Sequence, residues 1–254
     1  MLDNVIIPFY INRDQPYLGC DDPNRNSLQE VYSYDLRDYH DYPFNIQYKF
    51  NSRGFRDKEW PIDINDKIWC VGDSATCGTG ISHEHIYSNL LKDAINCGRY
   101  YADNEWIRDI ASSILSEANP KLVVIQWSYF HRFKRYLLET EKNLLGNYGE
   151  TLFDKIFKNS PFADQNKFDA NYLYKIILKI ENSKKDHTVI HMLTPAFHDA
   201  YNFLARVENS VENVIHIDWI DDARDKTFHY GVKSHKIIAD RIIKLCHEKN
   251  IDIW

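Results

Sequence analysis

The chain has 254 residues, a formal net charge of −6 and 44% hydrophobic residues. Aromatic residues make up 14% of it, which is typical of a globular protein and excludes an intrinsically disordered chain. The net negative charge gives no general attraction to nucleic acid or anionic lipid, so neither partner is expected. The basic run His131–Arg135 is interpreted as the solvated start of a helix. The length fits one domain.

No stretch of the chain approaches the roughly 18 consecutive apolar residues of a membrane-spanning helix. Pro8 interrupts the N-terminal segment before a hydrophobic run of secretory length develops, and no basic segment precedes it. We therefore expect no signal peptide, no membrane partner and, by default, a cytoplasmic location. The five cysteines lack the paired spacing of a zinc site or a disulfide framework, so reduced thiols are expected at Cys20, Cys70, Cys77, Cys97 and Cys246.

Residues 1–60 are rich in Tyr, Asp, Asn and Pro and show little periodicity. This composition predicts an irregular N-terminal arm packed on a core. Residues 48–52 alternate like a strand, and Arg53-Gly54 predicts the turn that ends it. The tyrosines of the arm could either stack on sugar rings or pack over the core, the second being favoured; they are Tyr32, Tyr34, Tyr39, Tyr42 and Tyr48.

Residues 61–254 alternate short apolar runs with amphipathic stretches, a pattern that predicts a parallel sheet with crossover helices. Five strands are predicted, at 68–71, 95–97, 122–127, 188–193 and 214–217. Helices are predicted at 105–117, 172–180 and 235–249. Right-handed crossovers would build a doubly wound, three-layer α/β/α domain with its active site at the carboxyl ends of the strands. Residues 136–171 are interpreted as an insertion or lid.

A candidate nucleophile follows the first predicted strand directly, in Gly72-Asp73-Ser74, and a helix is predicted to begin near His83. A serine hydroxyl needs a base, an acid that orients the base, and donors facing the oxyanion. The segment after the last strand offers the first two groups. His229 would take the Ser74 proton while Asp225 holds the imidazole, and Asp222 is the alternative acid.

These blocks resemble the SGNH (GDSL-type) hydrolases, which carry Gly-Asp-Ser near the start of the domain and Asp-x-x-His near its end. The resemblance covers about residues 51–243 and includes the run Asn51-Ser52-Arg53-Gly54-Phe55-Arg56. It implies a flavodoxin-like fold with a central five-stranded parallel sheet, catalysis by Ser74 and no cofactor. It also implies that the N–H of Gly98, together with that of Ser74, donates to the oxyanion.

The chain departs from the family pattern at two places. Where the family has Gly-x-Asn-Asp after a strand, this chain has Ser128 at the Gly and Phe130 at the Asn, and a phenyl ring cannot donate a hydrogen bond. Losing one oxyanion donor typically costs about 3 kcal/mol. Asp225 and His229 are also separated by three residues where the family has two, although a helical turn would still place them on one face. The candidates to replace the donor or bind substrate are Ser128, Tyr129, His131 and Arg132.

The resemblance implies a serine ester hydrolase, and the polar, aromatic surroundings favour short acyl groups, such as O-acetyl, on a carbohydrate. A small-molecule or glycan ester is therefore the expected partner. The alternatives are a catalytically impaired SGNH domain that binds glycans or is structural, and an O-acyltransferase with the same triad. No metal site is expected, because no cysteine or carboxylate completes a ligand set with His83, His85, His187 and His191.

Overall fold

The computed structural model describes residues 2–16, 46–100, 102–129, 163–193, 202–217 and 229–253. Its strands are β1 (Asp14–Pro16), β2 (Gln47–Lys49), β3 (Ile68–Gly72), β4 (Ala94–Gly98), β5 (Leu122–Trp127), β6 (Val189–Leu193) and β7 (Val214–His216). Its α-helices are α1 (Ser74–Cys77), α2 (Asn104–Glu117), α3 (Ala163–Ser183), α4 (Phe203–Glu208) and α5 (Val232–Glu248). Short 3₁₀ helices cover Pro8–Tyr10, His83–His85 and Tyr87–Leu90.

Strands β3 to β7 form one parallel sheet in the order β4-β3-β5-β6-β7. Every residue of β3, β4, β5 and β6 is buried, which explains why these strands show as continuous apolar runs in the sequence. The strand order reverses beside β3, so a crevice is expected outside the carboxyl ends of β3 and β5. The five predicted strands and their parallel arrangement are confirmed.

Helices cover both faces of the sheet, because successive residues of a strand point to opposite sides. In β3, Trp69 and Val71 pack in the apolar cluster that contains residues of α2, α3 and α4. Ile68 and Cys70 pack instead in the cluster that contains residues of α5 and the Tyr87–Leu90 turn. The predicted three-layer α/β/α, doubly wound architecture is therefore confirmed.

The described parts of the N-terminal arm lie on this core. Strands β1 and β2 pair antiparallel. Strand β2 overlaps the predicted strand region 48–52 at Tyr48 and Lys49. Leu2, Val5, Ile7 and Phe55 belong to the larger apolar cluster of the sheet. Phe55 is fully buried and stacks on Trp60 with ring centroids 5.3 Å apart. The boundary at residue 60 itself stays a prediction.

Two helix predictions need correction. The first helix after the nucleophile is α1, which begins at Ser74 because Asp73 caps it, whereas His83–His85 forms only one 3₁₀ turn. Helix α3 begins at Ala163, so residues 163–171 of the predicted insertion are helical. Few apolar residues occur in that first part, and the sequence pattern therefore predicted only the later turns. The rest of the insertion lies outside the described residues.

Cys70, Cys77, Cys97 and Cys246 are free thiols, and Cys20 lies outside the described residues. Burial raises the pKa of both Cys77 and Cys246 to about 11, so these two thiols are protonated at neutral pH. Within the described ranges, none of the helices combines the length and the apolar character needed to cross a bilayer.

Truncation of Phe55 tests whether the arm shares the core of the sheet. Because Phe55 packs in the main apolar cluster, Phe55→Ala should lower the free energy of unfolding by about 3–5 kcal/mol. Ile62, whose side chain is exposed, offers a matched control, and Ile62→Ala should change stability by less than about 0.5 kcal/mol. Urea denaturation measures both. Equal effects of the two substitutions would show that the arm is not part of the core.

Candidate active site

The structure brings together Ser74 and His229, two predicted site residues that lie 155 positions apart in the chain. Nε2 of His229 lies 3.0 Å from Oγ of Ser74, and both residues are half-buried. Ser74 is the first residue of α1, directly after β3, and His229 precedes α5. This distance is within the range required for a base that removes a proton from a serine hydroxyl.

Gly72 and Asp73 explain why the nucleophile adopts this position. A Cβ on Gly72 would lie 2.1 Å from Oγ1 of Thr76 and 2.6 Å from Oε1 of Gln126, so only glycine leaves room for these two polar groups. Oε1 of Gln126 accepts hydrogen bonds from the Asp73 N–H and the Thr76 hydroxyl. The Asp73 carboxylate accepts the N–H of Ala75 at 2.9 Å and thereby caps α1.

Ser128 is hydrogen-bonded to Asp73, the residue that precedes Ser74. Its hydroxyl donates to Oδ2 of Asp73 at 2.6 Å, and its N–H donates to Oδ1 of Asn104 at 2.9 Å. Ser128 is only 3% exposed. Asp73 accepts the hydrogen bond of this hydroxyl, which gives Ser128 a structural role, and its predicted contribution as an oxyanion or substrate donor stays a prediction. Tyr129 is half-buried, and its carbonyl accepts a hydrogen bond from Nδ2 of Asn104.

Gly98 has a packing role in the structure. Its N–H donates to Oδ1 of Asn96 at 2.7 Å, so this group is already used within the protein. A Cβ at Gly98 would lie 2.2 Å from the backbone nitrogen of Cys77, which means that β4 and α1 touch here through backbone atoms. Glycine is therefore needed at this position for the close approach of α1, and the oxyanion role that the resemblance implies for Gly98 stays a prediction.

The Ser74 N–H remains as a donor toward the substrate. Ser74 is the first helical residue of α1, and the N–H of such a residue has no acceptor within its own helix. A helix N-terminus also favours a negative charge. The predicted contribution of the Ser74 backbone to an oxyanion site therefore has a structural basis.

A second histidine, His235, is buried in α5, the helix that follows His229. Nδ1 of His235 accepts the N–H of Tyr87 at 3.1 Å, and His235 is fully buried. Burial, followed by the positive charge of Arg56 and the imidazoles of His229 and His85, lowers the pKa of His235 to about 3. His235 is therefore neutral at physiological pH. The His83–His85 turn lies against α5, the helix that carries His235.

Of the five arm tyrosines considered for stacking on sugar rings, only Tyr48 lies within the described residues. It is 2% exposed, its hydroxyl accepts the Gly80 N–H at 2.7 Å, and burial raises its pKa to about 12. Its ring lies against Phe50 and Tyr100. For Tyr48, packing over the core is therefore confirmed in place of stacking on sugar.

Several predicted site residues lie outside the described residues: Asp225 and its alternative Asp222, together with Phe130, His131 and Arg132. Sequence reasoning missed Asn104 and Gln126, two buried amides that fix the end of β5. Asn104 follows the cap residue Asp103 of α2, and a polar residue beside a cap gave no functional signal. Among the described residues, no group of three or more His, Cys, Asp or Glu side chains is arranged to hold a metal ion.

No protein-family model and no curated protein matches the sequence. Among solved structures, the chain is similar to a protein described as lipolytic, of the G-D-S-L family, from Desulfitobacterium hafniense DCB-2, with 13% identity and a TM-score of 0.40 over 71% of this chain and 99% of that one. It is also similar to TesA, with 13% identity and a TM-score of 0.42 over 71% and 98%. A third match is LAE5, an alpha/beta hydrolase enzyme from the metagenome of Lake Arreo, Spain, with 11% identity and a TM-score of 0.40 over 74% and 97%.

Removal of the Ser128 hydroxyl distinguishes a supporting role from a role as oxyanion donor. Ser128→Ala leaves the buried Asp73 carboxylate without one of its donors, so the free energy of unfolding should fall by about 1–3 kcal/mol. Ser112 is exposed on α2, and Ser112→Ala should stay within about 0.5 kcal/mol of the wild type. Urea denaturation measures both variants. Unchanged stability of Ser128→Ala would contradict the supporting role.

The low pKa of His235 predicts a protein that becomes less stable in acid. The folded state holds this imidazole neutral down to about pH 3, whereas an unfolded histidine binds a proton below about pH 6.5. Stability should therefore be fully present above about pH 6.5 and fall by about 1.4 kcal/mol per pH unit below it from this group alone. Asn can accept the Tyr87 N–H without titrating, so His235→Asn should show a shallower fall between about pH 6.5 and pH 4. Parallel pH slopes of the two proteins would contradict the assignment.

Proposed function

We propose that the chain is a serine ester hydrolase of the SGNH type with Ser74 as its nucleophile and His229 as its base. The observation that carries the proposal is the 3.0 Å distance between Nε2 of His229 and Oγ of Ser74. Two features of the surroundings support it. Ser74 lies at the N-terminus of a helix, and it follows β3 at the point where the strand order of the parallel sheet reverses.

The geometry fits a two-step acyl transfer to water. Oγ of Ser74 attacks the ester carbonyl carbon while Nε2 of His229 takes the hydroxyl proton. The tetrahedral oxyanion lies near the Ser74 N–H, and the alcohol leaves with the proton that His229 returns to it. Water then attacks the carbonyl carbon of the acyl-serine and loses a proton to His229. The bond between that carbon and Oγ of Ser74 breaks, Oγ regains the proton from His229, and the carboxylic acid is released. Asp225, or alternatively Asp222, is the proposed partner that holds Nδ1 of His229 and favours the productive tautomer.

For the substrate class, we propose short acyl esters on a carbohydrate, O-acetyl groups above all. The half-buried imidazoles of His83 and His85, in the turn that follows α1, support a polar surface on this part of the domain. Hydroxyl-rich alcohols match imidazole donors and acceptors better than a long alkyl chain does. The proposed substrate is therefore small on the acyl side and polar on the alcohol side.

Two measurements test the activity. The wild type should cleave p-nitrophenyl acetate and react with a fluorophosphonate probe at Ser74. Ser74→Ala and His229→Ala should each lose kcat by several orders of magnitude, because removing either member of such a pair costs on the order of 10⁶-fold in kcat. Ser116→Ala, on the exposed side of α2, is the matched control and should keep wild-type activity. Undiminished turnover by Ser74→Ala would refute the nucleophile assignment.

A panel of esters tests the substrate class. Acetylated oligosaccharides should release acetate, and kcat/KM for p-nitrophenyl esters should fall as the acyl chain lengthens from two carbons. A preference for long acyl chains would refute the carbohydrate proposal while leaving the esterase intact. Acetyl transfer to an added sugar in preference to water would indicate an O-acyltransferase. A protein that binds glycans without reacting with the probe would be a catalytically impaired domain.

A further inference from the structure

Arg56 is a fully buried cation in the part of the chain that precedes the sheet. It is 1% exposed, and among the described residues no carboxylate forms an ion pair with it. A buried charge is costly unless hydrogen bonds compensate for it. The hydrogen bonds of Arg56 therefore show which segment of the backbone it stabilises.

Among the described residues, the acceptors of the Arg56 side chain are carbonyl groups at the end of α1 and in the loop that follows it. Nη1 donates to the carbonyl oxygen of Gly78 and lies 3.3 Å from that of Cys77. Nη2 donates to the carbonyl oxygen of Ile81 at 2.5 Å. We call residues 77–81 the nucleophile loop. One planar guanidinium thus spans three carbonyl groups of this loop, which the single ammonium of a lysine cannot do.

Tyr48 contacts both the Arg56 guanidinium and the nucleophile loop. Its ring lies under the guanidinium, with 3.8 Å between Cζ of Arg56 and the ring centroid, and its hydroxyl accepts the N–H of Gly80 at 2.7 Å. A cation over the face of an aromatic ring is attracted by the negative charge of that face, most strongly where both groups are desolvated. The nucleophile loop is therefore held by a cation and an aromatic ring, both from residues 46–60.

The loop is in turn bonded to the nucleophile. Both the N–H and the hydroxyl of Thr79 donate to the carbonyl oxygen of Ser74 at 3.1 Å. Helix α1 has only four residues, and a single turn of helix has little stability of its own. The orientation of Ser74 consequently depends on the loop that carries Thr79.

From these contacts we infer that Arg56 is a positioning residue for Ser74, acting through the nucleophile loop. The inference rests on the proposed function, because it assumes that Ser74 is the nucleophile. The hydrogen bonds of Arg56 go to the carbonyl groups of residues 77, 78 and 81, which lie on either side of Thr79, and Thr79 in turn donates to the Ser74 carbonyl. A displacement of about 1 Å between reacting groups can lower a rate about 100-fold. Arg56 therefore determines reactivity as well as stability.

Arg53 is a matched control in the same turn. Its Nη1 donates to the carbonyl oxygens of Leu2 and Val5 at 2.8 and 3.4 Å, and its Cζ lies 4.9 Å from the centroid of the Trp60 ring. Like Arg56, it bonds backbone carbonyls and covers an aromatic ring. It ties the N-terminal segment to the core, however, and has no bond to the nucleophile loop.

The test compares Arg56→Lys, Arg53→Lys and the wild type. For each protein, the second-order rate of Ser74 labelling by a fluorophosphonate, kcat and KM for p-nitrophenyl acetate, and Tm are measured, with rates normalised to the folded fraction. Arg56→Lys should slow labelling and lower kcat about 10- to 100-fold with KM unchanged. Arg53→Lys should lower Tm but leave both rates within about twofold of the wild type.

Thr79→Val tests the same link independently, should Arg56→Lys fold poorly. Valine keeps the shape of threonine but removes the hydroxyl that donates to the Ser74 carbonyl, so labelling should again slow at unchanged KM. Equal slowing of Arg56→Lys and Arg53→Lys would overturn the inference, as would wild-type rates for both Arg56→Lys and Thr79→Val. A wild type that Ser74-directed probes do not label overturns the proposed function itself, a result distinct from labelling that Arg56 does not affect.

Discussion

The Asp73 carboxylate joins the three backbone segments that meet at the nucleophile. One oxygen caps α1 and the other accepts the Ser128 hydroxyl at the end of β5, while the Asp73 N–H donates to Gln126 within β5. Hydrogen bonds to an ionised carboxylate are about twice as strong as those between neutral groups. A helix of four residues cannot define its own orientation. The position of α1 is therefore set by its hydrogen bonds to the neighbouring strand. These bonds also fix the position of Ser74, the first residue of α1.

Two buried charges lie at opposite ends of α1. Asp73 is 4% exposed at its start, and Arg56 is 1% exposed below the loop that follows its end. Asp73 accepts a backbone N–H and Arg56 donates to a backbone carbonyl, so each side chain fixes the path of the backbone at its end of the helix. Such groups are expensive to bury and tolerate little displacement once they are bonded. The arrangement is typical of a site whose first contacts are held rigid by a surrounding layer of polar residues.

The sheet could be predicted from sequence, because apolar runs define buried parallel strands. The Ser74–His229 pair could also be predicted, because each residue follows a predicted strand and the carboxyl ends of parallel strands meet at one edge of the sheet. Helix α1 could not, since four residues are too few for periodicity. The hydrogen-bond partners of Gly98 and Ser128 could not be predicted either. Their donors bond to Asn96 and Asp73, and such side-chain partners depend on tertiary packing. The run ending in Arg56 was recognised as a pattern, but only its contacts across the fold show what the arginine does.

The separation of Ser74 and His229 has a consequence for the newly made chain. The two residues are 155 positions apart, and the imidazole lies just before the last helix. At a synthesis rate of about 5–20 residues per second, the serine would be made about 8–30 s before its base. Strands β3 to β6 and the loop held by Arg56 can assemble in that interval. A chain synthesised only as far as β6 would thus contain Ser74 without the imidazole that lies 3.0 Å from its hydroxyl in the folded protein.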